Sequence, residues 1–304
     1  MLLKVGTRVL LVALTFVLII LLSQIALTAA STRFERTPVN EVVGRGLEGT
    51  RDYFIDLFAG SLGEASSTSI LGGRRRAMGE VVLDAYPKSM ALVVLAVGAA
   101  TVIGTALGVI AAATRSRRVR GAVLASSIVA ISTPSFLLAV LLIMLSGETT
   151  QRFGFRLWPS FGFGWDEHLI LPAIVLGARP FAQVTNIAFI ATDEVLRLDH
   201  IRTARAKGLV ESLIMSRHAL PNAMVPILGA VSVALSIALS TLPVVEVFFS
   251  WPGLGQALLL SIRRFDAATA GTLLGVLAVT IAIVRFSLDA VASRYQRAAT
   301  GAAS

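Results

Sequence analysis

Six apolar stretches constrain the fold of this chain more than any other feature of its sequence. Each is about twenty residues long or longer, which is the length that an α-helix needs to cross the hydrocarbon core of a bilayer. They cover Val9–Ala30, Ser89–Ala113, Gly121–Leu145, Leu169–Ala191, Ala223–Ser250 and Ala268–Asp289. Of the 304 residues, 55% are hydrophobic and only 15% are charged, a composition too apolar for a soluble domain. The sequence therefore predicts an all-α polytopic membrane protein with about six transmembrane helices.

Basic residues predict which side of the membrane each loop occupies. In the favoured orientation most arginines and lysines near the spans lie on the cytoplasmic side, as the positive-inside rule requires. They are Lys4, Arg8, Arg115, Arg117, Arg118, Arg120, Arg197, Arg202, Arg205, Lys207, Arg217, Arg285, Arg294 and Arg297. The short outer loops hold only Arg152, Arg156, Arg263 and Arg264. We therefore expect both termini in the cytoplasm (N-in, C-in), and this sorting explains the net charge of +9 without a nucleic acid partner.

The spans divide the chain into three regions. These are an N-terminal transmembrane helix at 1–30, an extracytoplasmic segment at 31–88 and a transmembrane domain at 89–304. The first span is longer than the apolar core of a signal peptide, which favours an uncleaved anchor. In the outer segment, Tyr53, Phe54, Leu57 and Phe58 can share one face of a helix. That pattern fits a helix on the outer membrane surface and, equally well, a small buried helix in an extracellular cap.

Prolines predict kinks in two of the spans. Pro134 lies in the middle of the third span, and Pro226 and Pro243 lie in the fifth. Each proline removes one backbone hydrogen bond from a helix. We expect these helices to bend at the prolines.

The residues needed for chemistry are missing from the sequence. Cysteine is absent, and the three histidines, His168, His200 and His218, are too scattered to bind a metal unaided. The stretch LGGRRRAMGE lacks the spacing and the final Lys-Ser/Thr of a P-loop. No pair of mid-membrane carboxylates and no serine with a histidine at the same depth is found. We predict no catalytic residue, no metal site and no cofactor in this chain.

Two ionisable residues lie within the spans and are candidates for a translocation path. Arg179 is about ten residues into the fourth span, near mid-bilayer and too deep to reach the surface easily. The cost of burying this charge favours a water-lined cavity between helices. Glu246 lies near the outer end of the fifth span, where a structural role explains it at least as well as a functional one.

The segment 192–222, between the fourth and fifth spans, reads like soluble protein. Acidic residues at its start and basic residues further on favour a first short helix, and Gly208 permits a left-handed turn after it. The stretch LVESLIMSRHAL offers a second short amphipathic helix, and Pro221 suits the first turn of the next span. We expect two short helices with a bend at the cytoplasmic surface. Ala204 and Ala206 would keep one side slim for a partner's groove.

This segment resembles the cytoplasmic signature loop of bacterial ABC importer membrane subunits, whose pattern is E-A-A, three residues, G, nine residues and I-x-L-P. The matching positions are Arg202, Thr203, Ala204, Gly208, His218, Leu220 and Pro221. The stretches GSLGEA, GEVVLDAYPKSMAL, STPSF, LILPAIVLG and VVEVFFSWPGLG resemble the B-type permease subunit of the dipeptide, oligopeptide and nickel branch. The resemblance runs from about Arg51 to Gln296. STRFERTPVN stands where that branch has Pro-Gly-Asp-Pro, so the docking of the outer segment stays open.

The resemblance implies a pore-forming permease of the bacterial cytoplasmic (inner) membrane with the type I ABC importer fold. Its expected partners are a homologous C-type permease, two ATPase subunits that bind ATP and Mg, and an extracytoplasmic solute-binding protein. The resemblance also implies an ATPase-coupling site. Its residues are Arg202, Thr203, Ala204, Arg205, Ala206, Lys207, Gly208 and Leu209. The depth of Arg179 in its span also makes it a candidate to attract the carboxylate of a passing peptide.

Two other functions remain as alternatives at this stage. A self-contained secondary transporter or channel would also have six spans, but it predicts inverted repeats and paired ionisable residues, which the sequence does not show. A membrane-bound enzyme lacks its catalytic residues. The cargo stays open among dipeptides, longer peptides, nickel chelates and related small solutes.

Overall fold

The structure is a computed structural model that describes residues 2–31, 37–59, 77–154, 158–264 and 266–301. Helices dominate these ranges. They are α1 (Leu2–Ser31), α2 (Val39–Phe58), α3 (Met78–Ala113), α4 (Arg117–Ser132), α5 (Ser135–Phe153), α6 (Ile170–Leu196), α7 (Asp199–Ala206), α8 (Glu211–Ile214), α9 (Leu220–Phe248), α10 (Leu254–Arg263) and α11 (Ala267–Gly301). A 3₁₀ turn at Glu167–Leu169 leads into α6, and a π-helical turn at Met215–Ala219 joins α8 to α9.

Six helical segments of the described chain are long and apolar enough to cross a bilayer, which confirms the predicted number. They are Ala13–Ala30, Met78–Ala113, Ser135–Phe153, Glu167–Leu196, Glu211–Phe248 and Ala267–Arg294. The helix of the second span, α3, begins at Met78, well before the predicted start of that span at Ser89. Its first turns carry charged residues, and an apolar window therefore finds only the later part.

The third predicted span, Gly121–Leu145, is divided into two helices. Helix α4 ends at Ser132, Thr133 is extended (φ −81°, ψ 120°), and Pro134 precedes the first residue of α5. A proline disfavours the helical conformation of the residue before it, and Thr133 follows that rule. The prediction of a kinked helix at Pro134 is therefore wrong, because the helix breaks there. Pro226 and Pro243, by contrast, lie inside the continuous helix α9.

The chain forms two compact units. The first comprises Met1–Ala91, Phe161–Phe163 and Phe249–Ala282, and the second comprises Leu92–Ser160, Gly164–Phe248 and Ile283–Ser304.

In the first unit, α2 packs along α1. Its buried residues are Val42, Gly46, Thr50 and Tyr53. Gly46 lies so close to Ile25 of α1 that a Cβ would clash with it. The Thr272 hydroxyl donates a hydrogen bond to the Tyr53 oxygen (3.3 Å), which ties α2 to α11. Of the four residues predicted to share a helical face, Tyr53 is buried and Phe58 is 86% exposed.

The first unit also contains a tight turn that starts α10. Trp251 is fully buried, and its Nε1 donates to the Lys88 carbonyl (3.2 Å). The hydroxyl of Ser89 accepts a hydrogen bond from the backbone N–H of Leu254 (2.7 Å). This bond satisfies one of the N–H groups that the first turn of a helix leaves unpaired. The stretch SWPGLG is thus held against the outer part of α3.

In the second unit, α6 is the central helix. Gly104 and Gly108 of α3 approach the α6 backbone so closely at Phe181 and Thr185 that a Cβ at either glycine would be crowded. Another side of α6 packs on α9 through two clusters of small and branched residues. They comprise Val184, Ala188, Ala191, Ala223, Ile227, Ala230 and Ala234. Small residues of this kind let membrane helices pack at short distance. The rotation of α6 about its axis is therefore fixed by its neighbours.

Candidate functional site

Helix α7 follows α6 after a tight connection at the predicted cytoplasmic surface. Arg197 and Leu198 form this connection, and their N–H groups donate to the carbonyls of Glu194 (3.2 Å) and Val195 (3.1 Å). Asp199 lies in the first turn of α7, where its negative charge is favourable to the helix dipole. The two helices are therefore joined without a flexible linker.

Helix α7 ends in a Schellman motif centred on Gly208. The N–H of Gly208 donates to the Arg205 carbonyl (2.9 Å), and the N–H of Leu209 donates to the Ala204 carbonyl (3.2 Å). Gly208 has φ +79°, a left-handed conformation that glycine adopts without steric cost. The predicted left-handed turn at Gly208 is present, and it reverses the chain toward α8.

A buried apolar cluster holds α7 in place. Ile201 and Ile214 are fully buried, Ala204 is 8% exposed, and Leu209 packs against them together with Val195 and Leu196. The prediction that Ala204 keeps the outer side of α7 slim is wrong, because its side chain faces this cluster. Its small size lets α7 lie close to α8 and to the end of α6.

The opposite face of α7 is accessible over its whole length. It comprises Arg202, Thr203, Arg205, Ala206, Lys207 and Gly208, all of them exposed. Leu209 is half-buried. Of the eight predicted coupling residues, six thus form one accessible surface, which we call the α7 outer face. Ala204 and Leu209 support that face from beneath.

An ion pair closes the bend between α7 and α8. Arg205 Nε donates to Glu211 Oε1 (2.7 Å) and Arg205 Nη2 donates to Glu211 Oε2 (3.3 Å), a two-point contact. The hydrogen bonds to Glu211 raise the pKa of the Arg205 guanidinium above its ordinary value. Sequence reasoning missed this partner, because Glu211 lies six positions after Arg205 and beyond a reversal of the chain.

The second helix of the loop is continuous with the fifth span. Helix α8, the π-helical turn and α9 form one helical run from Glu211 to Phe248. Pro221 therefore lies inside this run, just after the π turn, and the prediction of a separate second helix is wrong. The Asn222 side chain donates to the His218 carbonyl (2.7 Å), which adds one hydrogen bond to the turn that contains Pro221.

The two candidates for a translocation path lie in different environments. Arg179 is exposed on α6, next to Pro180. Glu246 is fully buried near the end of α9. A residue that lines a water-filled path must be accessible from it, and the burial of Glu246 therefore favours a structural role.

Comparison with known proteins identifies the family of this helical membrane protein. The sequence profile of the family described as "Binding-protein-dependent transport system inner membrane component" matches residues 104–299, more than half of the chain. The chain belongs to this family. The permease is 33% identical over 263 residues to the di/tripeptide transport system permease protein DppB of Pseudomonas aeruginosa (strain UCBPP-PA14), covering 78% of this chain and 76% of that one. It is 31% identical to the putrescine export system permease protein SapB of Escherichia coli (strain K12), covering 70% and 76%.

A solved structure supports the same fold. A chain of the MetNI methionine ABC transporter in an inward-facing conformation superimposes on the permease with a TM-score of 0.58 at 19% sequence identity. The match covers 72% of this chain and 97% of that one. The type I importer fold is therefore confirmed. This protein is a pore-forming permease subunit of an ABC transport system and a multi-pass protein of the inner membrane, and a self-contained transporter is not favoured.

Proposed function

We propose that the α7 outer face is the surface through which the permease is driven by ATPase subunits. The observation that carries this proposal is the position of α7. An accessible basic face lies on a helix whose other side is held by a buried cluster. A permease driven by separate subunits that bind ATP and Mg is consistent with the lack of a P-loop in this sequence.

Rigid connections make α7 suitable as a coupling helix. A two-residue connection leads from α6 into α7, and the Gly208 turn with the Arg205–Glu211 pair leads from α7 into α8. From there the helical run continues into the fifth span. A displacement of α7 by a closing ATPase would therefore move α6 and α9 together. This movement would switch the path between its inward-facing and outward-facing states.

The full transporter would contain a homologous C-type permease, two ATPase subunits and an extracytoplasmic solute-binding protein. Small peptides are the cargo class we propose, because relatives similar over most of the chain include a di/tripeptide permease. Other relatives carry the names of putrescine export and glutathione systems. The cargo test therefore compares di- and tripeptides with polyamines and glutathione. Arg179 is our candidate for the path itself.

The absence of cysteine from this sequence allows a direct test of the docking surface. In the Ala206→Cys variant, co-expressed with its partner subunits, a reagent with one thiol-reactive and one amine-reactive end should join the introduced thiol to a lysine of an ATPase subunit. The matched control is Ser293→Cys, an exposed position on α11. We expect an adduct from Ala206→Cys that changes in yield when ATP is added. Equal adducts at both positions, or none at Ala206→Cys while ATPase subunits co-purify, would contradict the proposal.

A further inference from the structure

Helix α6 carries a polar stripe on the side that faces away from α3. Arg179, Gln183 and Asn186 are spaced i, i+4 and i+7, which places them on one face of the helix. The contacts with α3 are made on the other side, by Gly177, Phe181, Thr185 and Ala188. Arg179 is exposed, and Gln183 and Asn186 are half-buried. The stripe is thus accessible in a segment that is otherwise apolar enough to span a bilayer.

The neighbours of α6 leave Arg179 exposed and Gln183 half-buried. On one side, the Ser127 hydroxyl of α4 donates to Asn186 Oδ1 (2.8 Å). On the other side, Val184 and Ala191 pack toward α9. Arg179 and Gln183 lie between these two contact faces. The position of the stripe is therefore fixed by packing on three sides of α6.

The stripe presents hydrogen-bond donors that the described part of the chain does not satisfy. Neither Arg179 nor Gln183 has a side-chain hydrogen bond or ion pair within residues 2–31, 37–59, 77–154, 158–264 and 266–301. The bond from Ser127 occupies the carbonyl oxygen of Asn186, so its amide group remains available to donate. The guanidinium and the two amides are therefore available to donate to an acceptor outside the described residues.

The depth of Arg179 makes an anionic partner favourable. At 1.5 Å per residue, Arg179 is about 14 Å from the outer end of α6 and about 26 Å from its cytoplasmic end. A cation at this depth is costly unless it meets an opposite charge or a water-filled cavity. Arginine also binds a carboxylate with two parallel hydrogen bonds, a geometry that lysine cannot reproduce.

We propose that Arg179 binds the terminal carboxylate of the solute during translocation, and that Gln183 and Asn186 hydrogen-bond the peptide groups behind it. This inference rests on the proposed function as a peptide permease. Gln183 lies about 6 Å and Asn186 about 10 Å along the helix from Arg179. An extended chain advances by about 3.3–3.6 Å per residue, so the stripe matches a di- or tripeptide lying along α6.

The test uses the complete transporter, with its partner permease, ATPase subunits and binding protein, reconstituted in proteoliposomes. Uptake of a dipeptide with a free carboxylate is compared with uptake of the same dipeptide as its C-terminal amide, each at saturating binding protein. The binding protein is wild type in every reaction, so any change in the carboxylate-to-amide ratio between variants arises in the permease. Arg179→Gln should lower this ratio about tenfold, the size expected for one charged hydrogen-bonded contact. Arg179→Lys, which keeps the charge but not the two parallel hydrogen bonds, should lower the ratio less than Arg179→Gln does.

Two further variants test whether the preference for a free carboxylate is specific to Arg179. Gln183→Leu should reduce uptake of both dipeptides without changing their ratio. Arg294→Gln, which removes one exposed positive charge elsewhere, should change neither. An unchanged ratio in Arg179→Gln overturns the inference. Loss of the partner permease from purified Arg179→Gln complexes also overturns it, because Arg179 would then pair with a carboxylate of that subunit. If the wild-type complex shows no ATP-driven uptake of peptides, the proposed function fails instead.

Discussion

Arginines at the cytoplasmic end of α6 and in α7 differ from the one in the middle of α6. Arg197 pairs with Asp193 (2.7 Å), Arg205 with Glu211 (2.7 Å) and Arg202 with Asp199 (3.7 Å). Arg179, also exposed, pairs with no acidic residue of the described chain. The paired arginines lie where water can solvate them, so each pair contributes little to stability. Charge alone therefore does not mark a functional residue here, whereas a charge without a partner at membrane depth does.

The largest expected effect separates the two sides of α7. Ala204→Trp places a large side chain in the buried cluster with Ile201 and Ile214, and overpacking there should destabilise the permease by about 1–3 kcal/mol or more. Ala206→Trp changes only the α7 outer face and should leave the folded permease intact while ATPase subunits are lost. Thermal unfolding of the purified permease measures the change in stability. Co-purification of the partner subunits measures the loss of ATPase binding. Equal stability of the two variants would show that Ala204 does not support α7.

Gly208 provides the next test, because its backbone conformation, and not the space around it, limits which residue can stand there. Apart from its chain neighbours, no atom of the described residues lies within 4 Å of the place that a Cβ would occupy, yet φ is +79°. Gly208→Val should strain the turn by about 1–3 kcal/mol and reduce transport more than ATP hydrolysis. Gly208→Asn, a residue that tolerates the left-handed region, should retain most transport. Uptake and ATP hydrolysis are measured side by side in both variants. If Gly208→Asn is as impaired as Gly208→Val, the left-handed backbone at this position is not what transport requires.

The Arg205–Glu211 pair should have a smaller effect. Its side chains are 41% and 61% exposed, so the contribution to stability should be about 0–1 kcal/mol and should fall at high salt. Arg205→Glu should weaken coupling, and adding Glu211→Arg should restore the bridge with its sign reversed. A double-mutant cycle on transport measures this coupling. If the double variant recovers nothing, Arg205 acts through a partner subunit and not through the bend.

The smallest effect is expected at the end of α6. Arg197 and Asp193 are an i, i+4 pair on a helix surface, and Arg197→Gln should cost about 0.5 kcal/mol or less. Transport should be unchanged within error. A transport defect comparable with that of Arg179→Gln would remove the distinction between paired and unpaired arginines.

Much of the fold was predictable because hydropathy is a property of whole segments. Spans of twenty apolar residues are visible without knowing any contact, and the number of six was correct. The break at Thr133–Pro134 was only half predictable, since proline identifies the place but not whether a helix bends or ends. The buried face of α2 could not be read from its aromatic residues alone, because it includes Gly46, which lies against Ile25 of α1.

The candidate site was predictable in its position and not in its inner construction. Gly208 has a local backbone signal, and its left-handed conformation follows from that signal. The direction of Ala204 depends on how an eight-residue helix rotates against α6 and α8, which spacing within so short a helix does not determine. The contact from Arg205 to Glu211 is likewise set by the reversal of the chain. The polar stripe could have been found from the spacing of Arg179, Gln183 and Asn186 alone.

The π turn before α9 sets the angular phase between two buried faces. Ile214 faces the cluster beneath α7, and Ala223 faces α6. In a regular α-helix nine positions correspond to about 900°, which would put these side chains on opposite faces. The extra residue of the π turn reduces the difference to about 80°, so that both can point inward. The number of residues between 214 and 223 is therefore constrained by packing. We expect this stretch to tolerate substitutions far better than one insertion or deletion.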